Sequence, residues 1–302
     1  MKPAAFAYHA PRTLDEALGF LADGAPDARL LAGGQSLVPA MNFRLAAPAI
    51  LIDLNRIPEL AYIREANGGL SIGAMTRQRE VERSATVARR APLLHEALPW
   101  IAHPQIRNRG TIGGSVAHAD PAAELPAVML ALEARFRIRS RSGAGADPEG
   151  RTIEAGGFYH GLFATALAPD EILVEIAVPA PPPRTGWAFR EIARRSGDYA
   201  LVGVAARVTL DEDGRCEKAR IALFSVGDGP VLAEEAAEAL AGRSLDDESL
   251  EEAAAILADR DIDPPGDIHA SADYRRHLAS VLTRQALARA AERATQARAE
   301  LT

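Results

Sequence analysis

Residues 30–45 read LLAGGQSLVPAMNFRL: an apolar run, two adjacent glycines, a polar pair, then a segment of helical composition. A strand that runs into glycines and on into a helix is a recurring way to offer backbone N–H groups to an anion. Glycine admits positive φ, so successive amides can converge on one point. Gly33 and Gly34 would make the turn, Ser36 would add a hydroxyl, and the helix start would add positive dipole. A second pair stands at residues 109–115, RGTIGGS, flanked by the hydroxyls of Thr111 and Ser115. Two such nests from distant parts of the chain suit a pyrophosphate gripped from both sides, and therefore a dinucleotide. A tight turn without ligand at each pair is the plain alternative. On the nest reading, a side chain at Gly113 or Gly114 costs the ligand and leaves the fold intact.

Working outward, Thr13 with Glu16 three residues on predicts a capped helix ending at Gly24, with Leu14, Ala17, Leu18 and Leu21 on one face. ARLL and AILIDL predict strands on either side of the first glycine pair. Asn67-Gly68-Gly69 predicts a hairpin turn. TRQREVERSATVARRAPLLHEALPWI reads as helix broken at Pro92, and PAAELPAVMLALEA as a helix initiated at Pro121. RFRIRSRSGAGADPEGRTIEAGGFY reads as a hairpin around the loop at 143–150.

Pro179 and Pro181 to Pro183 exclude helix and central strand, and mark a domain boundary. Beyond them GWAFREIAR, YALVGVAARVTL and RIALFSVG predict strands, the last two joined by the turn Asp211–Gly214. Helices follow at about 231–242, 249–260 and 272–299. Antiparallel sheet with helices describes this half, and the whole chain reads as α+β.

A net charge of −7 offers no basic stripe for a nucleic-acid backbone. One cysteine, Cys216, excludes an intrachain disulfide and a thiolate-held cluster on this chain alone; its setting, DGRCEKAR, reads as a polar turn. No apolar run reaches membrane-spanning length, no signal-like segment opens the chain, and the expected location is cytoplasmic. The chain has no G-x-G-x-x-G after a strand, no Walker lysine loop and no G-x-S-x-G elbow. His103, His118 and Asp120 lack metal-ligand spacing and read as turn or surface residues. Tyr199, in Gly197-Asp198-Tyr199, stands where a strand begins, free either to stack on a ring system or to pack within its own module.

LLAGGQSLVPAMNFRLAAPAILIDLNRIPEL and HPQIRNRGTIGGSVAHADPAAELPAVMLAL closely resemble the FAD-binding medium subunits of molybdenum hydroxylases. That group contains aerobic carbon monoxide dehydrogenase and xanthine dehydrogenase. The resemblance runs through nearly the whole chain. It implies an α+β fold with two FAD-binding subdomains of the vanillyl-alcohol-oxidase type, followed by a C-terminal antiparallel sheet with helices. The implied division is residues 1–178, with subdomains of about 1–58 and 59–178, and residues 184–302.

By the same resemblance, Ala32, Gly33, Gly34, Gln35 and Ser36 would form one pyrophosphate loop, and Thr111, Ile112, Gly113, Gly114 and Ser115 the other. Glu124 falls at an acidic FAD contact, Leu173 at an apolar one and Arg190 at a basic one, with Tyr199 near the isoalloxazine ring. FAD would be held non-covalently. Molybdopterin and [2Fe-2S] would belong to a large and a small partner subunit, in a dimer of heterotrimers without nucleic acid or membrane span. No side chain of this chain would be a catalytic acid or base, and none a metal ligand. The implied role is electron relay from the [2Fe-2S] partner through FAD to an acceptor. Gln35 stands where carbon monoxide dehydrogenases proper tend to carry histidine, which leaves the substrate open. A flavin- or nucleotide-binding protein without turnover and a stand-alone FAD oxidase are the competing readings.

Overall fold

The computed structural model describes residues 2–141 and 150–299; the loop expected around 143–149 lies outside them. The first body is a parallel three-stranded sheet in which Ile50–Asp53 lies between Ala7–His9 and Ala28–Leu31. The helix Leu14–Gly24 covers it. Thr13 Oγ1 accepts from Glu16 N, and Leu14, Ala17, Leu18 and Leu21 pack with Ile52. Parallel neighbours need crossovers. One of them carries the first glycine pair into the helix Leu37–Asn42.

The second body is a five-stranded antiparallel sheet, ordered Ile63–Ala66, Gly69–Gly73, Glu171–Val178, Arg135–Ser140, Arg151–Glu154. Asn67 and Gly68 turn its first hairpin with φ of 50° and 78°. The predicted helical stretch after it breaks twice. Besides Pro92, Ser84 ends Gln78–Arg83 and caps Ala85–Arg90 through its hydroxyl. The helix expected from Pro121 starts instead at Glu124, because Asp120 Oδ1 accepts from Ala122 N and holds residues 120–123 in a turn. Pro126 then sits in the first helical turn, where a missing N–H costs nothing.

The third body is the antiparallel sheet Thr185–Ala193, Ala200–Leu210, Cys216–Phe224, Val231–Leu232. Cys216 opens a buried strand and lies in no polar turn; burial pushes its thiol up to about 11. All eleven residues of Ala200–Leu210 are buried. Alternation explains how: Val202, Val204, Ala206 and Val208 meet the long helix Ala272–Ala299, while Ala205 joins the core of the second body. In that helix Leu278, Leu282, Ala286, Ala290 and Ala294 recur every fourth residue on the packed face.

The helix Glu124–Ala131 is buried at every position and fills the space between second and third sheets. Polar ties close the same seam. Lys218 Nζ lies 2.5 Å from Glu133 Oε1, Arg207 reaches the other carboxylate oxygen, and Ser225 N donates to Pro121 O at 2.8 Å. Glu96 accepts from Phe189 N at 3.2 Å and from Arg293 at 2.5 Å, so one carboxylate joins three segments distant in sequence. Glu96→Ala should cost about 1–3 kcal/mol, since it removes the acceptor shared by Phe189 N and Arg293 and leaves the guanidinium without its carboxylate, held by Trp187 O. Chemical unfolding measures this, and a loss near zero would remove Glu96 from the clamp.

Candidate functional site

The two glycine pairs meet. A Cβ on Gly33 would lie 2.5 Å from Arg109 O and 2.7 Å from Gly110 Cα, and one on Gly114 would lie 3.2 Å from Ala32 Cβ. Gly33 cannot carry a side chain while the loops touch, whereas one at Gly114 would press on Ala32 and on its own loop's Thr111 Oγ1 at 2.7 Å. Of the four glycines, only Gly34 uses the left-handed region, with φ of 74°.

The loops differ in what their amides do. Among the described residues, no protein acceptor bonds the backbone N–H of Gly33, Gly34, Gln35 or Ser36, and Gln35 Nε2 ties the turn by donating to Gly33 O at 3.0 Å. The second pair follows no strand; it lies in the first turn of the helix Ile112–His118. Its amides are already engaged: Ile112 N with Thr76 O, Gly113 N with Ala74 O, Gly114 N with Thr111 Oγ1, and Ser115 N with Thr111 O. The second nest expected from sequence is therefore a packed, self-capped helix start. Gly113 is there because a Cβ would fall 2.4 Å from Ala74 Cβ and 2.7 Å from Ala74 O. A side chain at Gly113 thus strikes the fold, contrary to the nest reading.

A cavity of about 670 Å³ lies along these loops, within the roughly 300–1,000 Å³ usual for cofactor sites. Ala32, Gly34, Gln35, Ser36, Thr111, Gly113, Gly114, Ser115, Glu124, Leu173 and Tyr199 line it. Three of the fourteen expected residues stand apart from it. Gly33 faces a smaller cavity of about 530 Å³ with Arg77 and Arg109. The Ile112 side chain is wholly buried in the core. Arg190 lines neither cavity; it donates to Phe189 O and stands 3.8 Å from Glu96.

Leu173 reaches the wall beside Ile172, one residue before a bulge at Val174 that shifts the strand's register. Tyr199 is 67% exposed at the rim. His118 and Asp120, expected as turn or surface residues, also line the cavity, and Phe163 packs against His118 with the rings tilted by 34° and their centroids 5.0 Å apart. No spacing rule could find these contacts, since loops distant in sequence create them.

Glu124 is a buried carboxyl in the wall of the site. Burial, with Asp120 adding repulsion, pushes its carboxyl up to about 7. Glu191, on the facing strand, is pushed up to about 8 by burial and by Glu124. Both acids therefore favour their neutral forms in the folded chain.

The donor set fits a pyrophosphate-bearing cofactor. Four amides lack acceptors, hydroxyls of Ser36 and Ser115 flank them, and apolar walls from Ile101, Ile172 and Leu173 continue the cleft. Fold and site together define a dinucleotide-binding protein whose cleft is formed chiefly by its first two bodies and edged by a loop of the third.

Residues 4–181 match the family model described as the FAD binding domain in molybdopterin dehydrogenase, and residues 187–290 the CO dehydrogenase flavoprotein C-terminal domain. The chain is 44% identical over 294 residues to the 6-hydroxypseudooxynicotine dehydrogenase complex subunit alpha of Paenarthrobacter nicotinovorans, covering 97% of each. It superposes on carbon monoxide dehydrogenase from Hydrogenophaga pseudoflava with a TM-score of 0.91 at 42% identity, covering 97% of this chain and 99% of that one. Quinoline 2-oxidoreductase from Pseudomonas putida 86 gives 0.89 at 41%, with the same coverage. The chain belongs to the family of FAD-binding medium subunits of molybdenum hydroxylases.

The raised carboxyl of Glu124 has a signed consequence for the ligand-free chain. In the unfolded state it ionises near 4.5, in the folded state near 7. Its burial therefore costs nothing below the first value, costs progressively more as pH rises between them, and levels off above the second. Glu124→Gln should gain on wild type by about 3 kcal/mol from about pH 4.5 to about pH 8, as read by urea unfolding. A difference that does not change with pH would contradict the buried neutral carboxyl.

Proposed function

We propose that this chain relays electrons from a [2Fe-2S] partner to an acceptor through non-covalently held FAD, within a complex whose molybdopterin subunit oxidises the substrate. The observation that carries the proposal is the row of four amides at Gly33 to Ser36 without protein acceptors: Gly34, Gln35 and Ser36 line the larger, cofactor-sized cavity, and Gly33 lines the smaller one, which shares Gly34 and Gln35 with it. When bound, FAD supplies the exchange between one-electron and two-electron chemistry that such a junction needs.

This chain's own residues bind, orient and shield. The amides of Gly33, Gly34, Gln35 and Ser36 hold the pyrophosphate, and Ala32 sets the loop against Gly114. Ile112 and Gly113 fix the second loop through their bonds to Thr76 O and Ala74 O, Thr111 caps it, and Ser115 offers its hydroxyl to the cleft. Leu173 would shield the bound ring from water, Tyr199 at the rim would be free to cover it, and Glu124 holds a proton on its carboxyl up to about 7. Arg190 reaches the cofactor only by leaving Phe189 O and Glu96.

On this reading residues 1–178 are the cofactor domain, in subdomains of about 1–58 and 59–178, and residues 184–302 the C-terminal domain. The complex is a dimer of heterotrimers in the cytoplasm. Among the described residues, no helix is long and apolar enough to cross a membrane. Relatives sharing the fold carry different substrates in their names, which accords with a substrate pocket on another chain.

Co-expression with the partner subunits, followed by a flavin spectrum and anaerobic reduction, tests the proposal. Bound flavin should bleach when substrate is given to the complex and stay oxidised when it is given to the isolated chain. Flavin that never bleaches in the complex, or that bleaches in the isolated chain, would overturn the relay. Gly33→Ala, which forces the two loops apart, should lose most of the FAD at unchanged far-ultraviolet circular dichroism.

A further inference from the structure

Gln78 is the first residue of the helix Gln78–Arg83, and its N–H donates to Gly110 O at 2.9 Å. A Cβ on Gly110 would lie 2.7 Å from Gln78 Oε1 and 3.0 Å from its Cδ, so the carboxamide packs closely against the glycine that opens the second loop. The residue is only 5% exposed, yet its carboxamide makes no hydrogen bond among the described residues, and Oε1 is buried. Buried polar side chains are normally satisfied, so an orphan needs a reason.

Position supplies one. Gln78 lines the larger cavity beside Gly110 and Thr111, whereas the other residues with buried unpartnered side-chain atoms, including Tyr159, Glu191 and Ser225, do not line it. With Oε1 pressed against Gly110, the group left for the cleft is Nε2, which carries two N–H donors and no charge. Such a group matches an oxygen that only accepts, as phosphate oxygens do.

We propose that Gln78 is a further pyrophosphate-binding residue of this cleft, donating from Nε2 to a phosphate oxygen of the bound dinucleotide. The inference rests on the FAD reading above. It adds a neutral side-chain donor to a set otherwise made of backbone amides and hydroxyls, and it gives the Nε2 group, which has no acceptor among the described residues, a partner in the cleft, while Oε1 stays against Gly110.

Gln78→Met keeps the length and removes the donors. In the purified full-length chain, stripped of flavin, the variant should bind FAD roughly 10- to 100-fold more weakly, the usual worth of a hydrogen bond to a charged group. Its affinity for riboflavin, which has no phosphate, should stay within twofold of wild type. Its unfolding midpoint without ligand should hold or rise, because an unsatisfied polar group has been removed. Gln78→Glu, which faces the phosphate with a carboxylate, should bind FAD more weakly than the methionine variant.

Unchanged FAD affinity in Gln78→Met, equal losses for FAD and riboflavin, or a lowered ligand-free midpoint would each overturn the assignment. Wild type that binds FAD while the variant binds it equally sinks Gln78 alone. Wild type that binds no FAD sinks the broader reading with it.

Discussion

The contact of Gly33 with the Arg109 carbonyl and the Gly110 Cα is the constraint on which the rest of the cleft depends. Two loops, one from a parallel sheet and one from a helix start beneath an antiparallel sheet, approach to a distance that no side chain tolerates. That approach brings separate structural bodies together along one line. It also sets a division of labour. The second loop spends its amides on Thr76, Ala74 and Thr111 and becomes rigid, whereas the first is positioned by it and keeps its amides free. A preorganised set of donors costs little to bring to an anion, which is why binding energy can be concentrated there.

The third body supports the same cleft from outside. Its central strand is buried on both faces, so it cannot slide without exposing either the long C-terminal helix or the helix Glu124–Ala131. The latter carries Glu124 into the cavity wall at its first turn. Burial of this carboxyl beside Asp120 and Glu191 is unfavourable for the ionised form, and the apolar seam around it sustains the arrangement. Local strain at a functional cleft, offset by packing elsewhere, is a common pattern in folded proteins.

Much of the fold was legible because local chemistry and tertiary context agree. Thr13 caps the first helix, Asn67 and Gly68 turn the hairpin, and the prolines at 179–183 separate strands of different sheets. The helix 272–299 was readable to the residue, since its buried positions repeat every three or four places. The glycine pairs were legible as a site but not in their physical cause. Composition shows that glycine is needed; it cannot show whether positive φ or a close neighbour demands it, and only Gly34 falls in the first class. The start at Glu124 was missed because an Asp120 turn competed with a proline signal. Gln78 and His118 carry no motif, and their places on the cavity wall follow from loops that meet only in three dimensions.

Backbone amide hydrogen exchange, measured residue by residue with and without FAD, tests this division of labour most directly. The account predicts that Gly33 to Ser36 exchange fast in the free chain and are strongly protected when FAD is bound. Ile112 to Ser115 should be protected in both states. Protection appearing on FAD binding at Ile112 to Ser115, with Gly33 to Ser36 unchanged, would contradict it.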